Sequence, residues 1–463
     1  MRDIKFALAA VACAVASASM AQNLHSSYFT EGHLYRHTLN PAFGNDQTYI
    51  SMPAFGNVNV HFNTNLPMDN IFYNVNGRTA LFLNPHVNTG EFLSGINDKN
   101  KISESLKMQI LGVGFKGFGG YNTIEINARQ SLDVNLPGDL FRMAKEGLEN
   151  KTYDMGGLSV NANAYAEMAL GHSRQINDQL RVGAKLKFLF GFANVDAEVN
   201  TARLTLREDA WIGETDAKIQ ASIKGLKYET EEKLRGPEGE QSVHQYVNDI
   251  DIDGVGMNGF GLAMDLGAEY KLDNNWSFSA ALLDLGFINW SNNCVAATNG
   301  LQQVRTDKYL FSVDDDAKNS FDNELDRLTD DLATLYELKD QGDTGSRSKA
   351  LAATMNLGVQ YTPDFYNKLT FGLMNSTRMA GSYSCTDFRL SANVAPIKSV
   401  SATANFSVGT FGSAFGWVLD FHPNAFNFFI GMDRPIGKLA KQGVPLSKGA
   451  SLSLGMNVAF GRK

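Results

Sequence analysis

The chain has 463 residues, with 41 Lys and Arg against 49 Asp and Glu, and this net charge of −8 argues against nucleic acid as a partner. Forty-three glycines and thirty phenylalanines against eleven prolines suit strands, tight turns and membrane interfaces. Past the N-terminal leader no stretch reaches about 18 uninterrupted apolar residues, which excludes transmembrane helices.

The leader comes first. Arg2 and Lys5 form a basic start, Phe6 to Ala18 is a short apolar run, and Ser19-Met20-Ala21 places small residues at a cleavage site before Gln22. Residues 1–21 therefore read as a secretory signal peptide, too short to span a bilayer. Cys13 lacks the preceding Leu of a lipoprotein anchor. Residues 22–66 follow and contain Asn40-Pro41-Ala42. They are expected to fold inside or against a barrel mouth as a plug-like segment. A competing reading makes 56–64 a strand.

From there to the end, residues 67–463, the pattern is period-two alternation. Leu158, Val160, Ala162, Ala164, Ala166, Met168 and Leu170 share one face, with Ser159, Asn161, Asn163, Tyr165 and Glu167 opposite. Leu180, Val182, Ala184, Leu186, Phe188, Phe190 and Phe192 oppose Arg181, Lys185 and Lys187. Leu262, Met264 and Leu266 oppose Asp265 and Glu269; Phe388 and Leu390 oppose Asp387 and Arg389; Leu452, Leu454, Met456, Val458 and Phe460 close the series. Runs of about ten residues exceed the five or six of a β-sandwich and match what a tilted strand needs to cross a bilayer. The fold class is all-β, a transmembrane antiparallel barrel of about fourteen strands. Their expected spans are 77–83, 106–116, 119–131, 156–174, 179–195, 257–272, 275–289, 350–362, 368–379, 385–394, 399–410, 412–421, 425–432 and 449–460.

Short connections at 177–178, 273–274, 363–367, 395–398 and 422–424 are assigned to the periplasm. Long ones at 196–256, 290–349 and 433–448 are assigned to the outside, the first with its own hairpin of 199–206 with 215–229. Tyr270, Trp276, Tyr361, Phe365, Tyr366 and Phe421 cluster at the short turns, as an interfacial girdle would. Leucines 325, 328, 332, 335 and 338 predict a helix over 318–340, and another is expected over 138–149. Asp314-Asp315-Asp316 is read as a solvated loop rather than a calcium site, and Gly236-Pro237-Glu238-Gly239 as a turn.

Chemistry is sparse. His25, His33 and His37 fit no known metal spacing, no Gly-rich loop opens a helix, and no motif frames a nucleophile, so neither enzyme activity nor a cofactor is expected. Glu167, Arg181, Lys185, Lys187, Asp265, Glu269, Asp387 and Arg389 should project into the lumen. The preferred reading is a structural ion-pair lattice; the alternative is a polar substrate track. Cys294 and Cys385 fall at outer strand ends. Export permits a disulfide between them, provided the loops fold to bring them within reach.

Asn40-Pro41-Ala42 soon after the leader resembles the long-chain fatty-acid transporter superfamily of outer-membrane barrels, and is similar to barrels that accompany type IX secretion. Lys185-Leu186-Lys187-Phe188-Leu189-Phe190-Gly191 before a long loop, then Trp276-Ser277-Phe278-Ser279-Ala280 and Leu282-Leu283-Asp284-Leu285-Gly286-Phe287-Ile288, look like an uncharacterised Bacteroidetes barrel family within that group. The resemblance implies a fourteen-strand barrel with an N-terminal segment in the lumen, and, from the transport members, hydrophobic cargo. The expected function is an outer-membrane channel or transporter for small molecules, hydrophobic ones included. The alternative is a non-transport barrel that scaffolds a secretion or surface complex. The partners expected are the outer-membrane bilayer, a small apolar ligand, and secretion or surface proteins.

Overall fold

In the computed structural model, residues 23–460 are described apart from 46, 67, 76–77, 236–240, 255, 311, 313–319, 424 and 438–447. The expected signal peptide, the Asp314–Asp316 run and the Gly236–Gly239 turn lie outside these residues.

Fourteen antiparallel strands close into a barrel. In chain order they are β1 (Thr48–Ser51 and Val58–Thr64), β2 (Lys99–Gly117), β3 (Gly120–Pro137), β4 (Ser159–Gln175), β5 (Leu180–Leu206), β6 (Gly259–Lys271) and β7 (Trp276–Trp290). Then come β8 (Arg347–Ala350 and Ala353–Tyr361), β9 (Leu369–Met379), β10 (Cys385–Ile397), β11 (Val400–Gly409), β12 (Gly412–Phe421), β13 (Phe426–Met432) and β14 (Gly449–Phe460). Each strand pairs with its sequence neighbours. Closure comes from β1, which pairs with β14 through Thr48↔Phe460 and Val58↔Leu454, and with β2 through Val58↔Met108. Closure leaves no open sheet edge, a requirement where no water can satisfy the backbone.

The first strand is a correction. It was expected at 77–83, but Arg78–Leu81 pairs instead with Phe72–Val75 in a separate hairpin. The true first strand begins at Thr48, within the stretch assigned to the plug-like segment, and its second half, Val58–Thr64, is the strand that the competing reading placed at 56–64. The whole strand is hard to see because Met52 to Asn57 bulge out around Pro53 and Ala54, the latter at φ 61. A proline inside an alternating run weakens the strand signal. The bulge still bonds both neighbours: Ala54 N–H donates to Ile110 O, and Met456 N–H donates to Phe55 O.

The wall is apolar outside and polar inside. On β6, Phe260, Leu262, Met264 and Leu266 are exposed while Asp265 is buried; on β5, Leu186 is exposed while Lys185 and Lys187 are buried. One end carries tight turns. Phe118 and Gly119 take φ 54 and 74, the paired left-handed residues that match strand twist, and the Asn177 side chain accepts from Gln179 N–H and Leu180 N–H. Trp276 and Tyr361 pack at 4.7 Å between centroids at this end, where Tyr270, Phe365, Tyr366 and Phe421 are also exposed.

The other end carries the long connections. Leu66, Val87, Phe92, Ile96 and Phe141 form a small core there under α1 (Thr89–Ser94) and α2 (Gly138–Glu146). Phe82 stacks on Phe92 at 4.4 Å, an arrangement that adds roughly 0.5–1.5 kcal/mol beyond area burial. β5 runs on past the barrel to pair with Trp211–Ile223, and Leu226–Arg235 pairs with Ser242–Ile252. The inner hairpin expected as 199–206 with 215–229 is thus two hairpins. α3 spans Phe321–Thr334.

Candidate functional site

Residues 23–45 run through the lumen as two short 3-10 turns (His25–Ser27 and Arg36–Thr38) joined by bends. Such a segment has few backbone bonds of its own, so the wall must supply partners. Asp433 takes Ser26 N–H at 2.7 Å, Ser26 Oγ at 2.5 Å and His25 N–H at 2.9 Å. Tyr28 Oη meets Ser279 at 3.0 Å, and Thr30 meets Thr403 at 2.7 Å. His33 Nδ1 lies 2.6 Å from Asp420, which also holds His422 at 2.9 Å. Tyr35 Oη lies 2.6 Å from both Gln109 Oε1 and Asn457 Oδ1, and His37 lies between Tyr49 and Lys185. These partners come from nearly the whole circumference. His25, His33 and His37 serve these separate contacts, and among the described residues no His, Cys, Asp and Glu cluster could hold a metal.

Asn40-Pro41-Ala42 is seated across two neighbouring strands. Asn40 Nδ2 donates to Ala268 O at 3.1 Å and to Ala280 O at 3.3 Å, bridging β6 and β7, while its Oδ1 accepts Ala42 N–H at 2.9 Å. Asn356 Nδ2 donates to Leu39 O at 2.9 Å. The wall meets this turn with glycines. A Cβ on Gly183 would overlap the Pro41 carbonyl, one on Gly267 would overlap Asn40 Oδ1, and one on Gly372 would overlap the Phe29 ring. Lumen-facing glycines therefore form a cradle for the plug. Their number was legible in the sequence; the faces they occupy were not.

Beside the plug stands a buried charge cluster. Lys187 Nζ lies 2.7 Å from Asp265 and 2.6 Å from Asp284. Arg129 makes a two-pronged contact with Asp284 at 2.8 and 3.0 Å and reaches Glu167 at 2.8 Å. Lys185 joins Glu125 at 2.7 Å. Of the lumen residues named from the sequence, Glu167, Lys185, Lys187 and Asp265 meet here. Arg181 stands apart, bonded to Ser173 and packed on Gly44, and Glu269 lies lower on β6. Asp387 and Arg389 pair at 2.9 Å on β10, and Arg389 adds Asp433 at 3.2 Å.

Sequence reasoning missed Arg129, Glu125 and Asp284. Asp284 sits in a bulge at φ 58, and the outward parity of β7 shifts there: Trp276, Phe278 and Ala280 face out before it, Phe287 and Asn289 after it. The bulge breaks the period that the alternation argument follows. Its signal was the acid inside the apolar run 282–288.

Above the plug, toward the long connections, lies a cavity of about 650 Å³. Asn23 and His25 of the plug line it, with Arg129 and Asp284 of the cluster, and higher up Asp196, Arg347 and Arg378.

The permitted disulfide is absent: Cys294 and Cys385 are free thiols. Cys294 is fixed in Cys294–Ala297 between Trp211–Ile223 and Lys339–Asp343, and its Sγ donates to Leu226 O. Cys385 opens β10 against Arg378 of β9. Two rigid ladders hold the thiols on different walls.

Residues 41–433 match the model of a family of unknown function (DUF5723). No curated protein matches the chain. Solved structures similar to it include the P. putida toluene transporter TodX, at 8% identity over 95% of this chain and 94% of that chain with a TM-score of 0.38. The Ralstonia pickettii toluene transporter TbuX gives 8% identity, 96% of each chain and a TM-score of 0.38. The translocator domain of the autotransporter NalP from Neisseria meningitidis gives 8% identity, 90% of each chain and a TM-score of 0.33. The match over most of its length shows that the chain belongs to the DUF5723 family.

Proposed function

We propose that this protein is an outer-membrane channel for small molecules, closed at rest by its own residues 23–45. One observation carries the reading: the lumen holds a cavity of about 650 Å³ whose floor is a segment fixed to the wall by side-chain contacts rather than by a sheet ladder. Side-chain ties can be exchanged one at a time, whereas a ladder strand would have to unzip. The apolar exterior and the aromatics at the short turns suit a bilayer. On this reading the short turns face the periplasm and the cavity faces outward. Kinship with the long-chain fatty-acid transporters and with Bacteroidetes type IX secretion barrels is part of the proposal, and Asn40-Pro41-Ala42 supports it. The long connections favour a second reading as a docking scaffold, because α3 exposes Phe321, Leu325 and Leu332 on its surface.

The test is uptake into liposomes. Wild-type protein and a deletion of residues 23–45, which spares β1, are compared on a panel of sugars, amino acids, decanoate and toluene. Faster, saturable entry of at least one solute through the deleted form supports the channel. A folded deletion variant that passes nothing removes it and favours the scaffold.

A further inference from the structure

The lining of the cavity has a chemical character that the channel reading leaves open. Seven carboxylates and six Lys or Arg side chains surround it, interleaved with Ser, Asn and Gln. Most of the cations are already matched: Arg129 to Asp284, Arg347 and Lys349 to Asp196, Arg378 to Asp133 at 2.7 Å, and Arg389 to Asp387. Such a surface has strong local dipoles and almost no net charge. An ionic solute would have to displace an existing partner. An apolar solute would strip water from a ring of charges and return nothing.

A hydroxyl group fits both halves of each pair. A guanidinium has five N–H donors and a carboxylate about four acceptor sites, so a single ion pair leaves capacity on both members. One sugar hydroxyl can accept from the cation and donate to the anion at once. Tyr165, Tyr383 and Phe411 add aromatic surface to the same cavity, and the volume lies within the ~300–1,000 Å³ of small-molecule sites.

We infer that this vestibule is a binding site for an uncharged, polyhydroxylated solute, a short oligosaccharide in chemical class. The inference rests on the channel reading for its route inward, but the site can be tested without transport. Full-length protein in detergent is titrated calorimetrically with maltotriose, xylotriose and chitotriose, and with glutamate, lysine, decanoate and toluene. At least one trisaccharide should bind saturably, and the other four should not compete with it. Gln220→Leu, on a half-buried lining residue beyond the membrane wall, should weaken that binding at least tenfold with the heat-modifiable band unchanged. The double variant Asp133→Leu/Arg378→Met, which removes a charge pair without leaving an unpaired charge, should do the same. No trisaccharide binding by folded protein, or decanoate or toluene taking the site, overturns the inference. Sugar binding by the full-length protein, with no solute entry even through the form lacking residues 23–45, would keep the site and remove the channel reading, so the two fail separately.

Discussion

Pro41 rests on Gly183 so closely that a Cβ on that glycine would overlap the Pro41 carbonyl oxygen. The clash is with backbone, which cannot swing aside as a side chain can. Gly183→Ala should therefore lift the Asn40-Pro41-Ala42 turn from the wall. Overpacking of this kind costs about 1–3 kcal/mol. The expected outcome is a barrel that stays heat-modifiable while protease reaches residues 30–45 faster than in wild type.

Asn40→Ala approaches the same seat from the plug side. It removes the donors to Ala268 O and Ala280 O and the acceptor for Ala42 N–H. Each such hydrogen bond contributes roughly 0.5–1.5 kcal/mol. Hydrogen exchange should quicken through residues 36–44 and stay unchanged in β11 and β12. An unchanged 36–44 segment would show that the turn is held by packing alone.

Asp284 pairs with Arg129 and Lys187 in a left-handed backbone conformation. Asp284→Gly relieves the backbone but takes from Arg129 and Lys187 the carboxylate they share, leaving Glu167 to the one and Asp265 to the other; each lost hydrogen bond to a charged group is worth about 1.5–3 kcal/mol. The variant should unfold at markedly lower urea. If Asp284→Gly is as stable as wild type, backbone strain outweighs the charge cluster.

The two cysteines should behave as thiols. Burial pushes the Cys294 thiol up, and Asp343 and Asp340 push it further, so little thiolate forms at neutral pH. Native protein should label slowly at Cys294 with maleimide, denatured protein should show both thiols, and mobility should be the same with and without reductant.

The barrel was readable because lipid outside and water inside impose a strict period of two. Leu186 against Lys187 and Leu266 against Asp265 show it directly, and the last strand was placed at its true end. What escaped lies where that period breaks or has no bearing. Pro53 and the bulge after Ser51 split β1, so that only its second half was offered, as the competing strand at 56–64, while the alternation at 78–81 belonged to a hairpin on a small separate core. The bulge at Asp284 hid that residue of the charge cluster. The plug follows no period, since its order comes from partners such as Asp433 and Asp420, some four hundred residues away in sequence.

The central claim is that residues 23–45 close the lumen and must move for it to open. Thr30 and Thr403 offer the direct test, since their hydroxyls meet at 2.7 Å between plug and wall. Thr30→Cys/Thr403→Cys, with Cys294 and Cys385 replaced by Ala, is reconstituted in planar bilayers together with Asn40→Ala to raise the opening frequency. Openings should vanish when the bridge is oxidised and return within minutes of adding reductant. Conductance of the same size and frequency in both states would contradict the account.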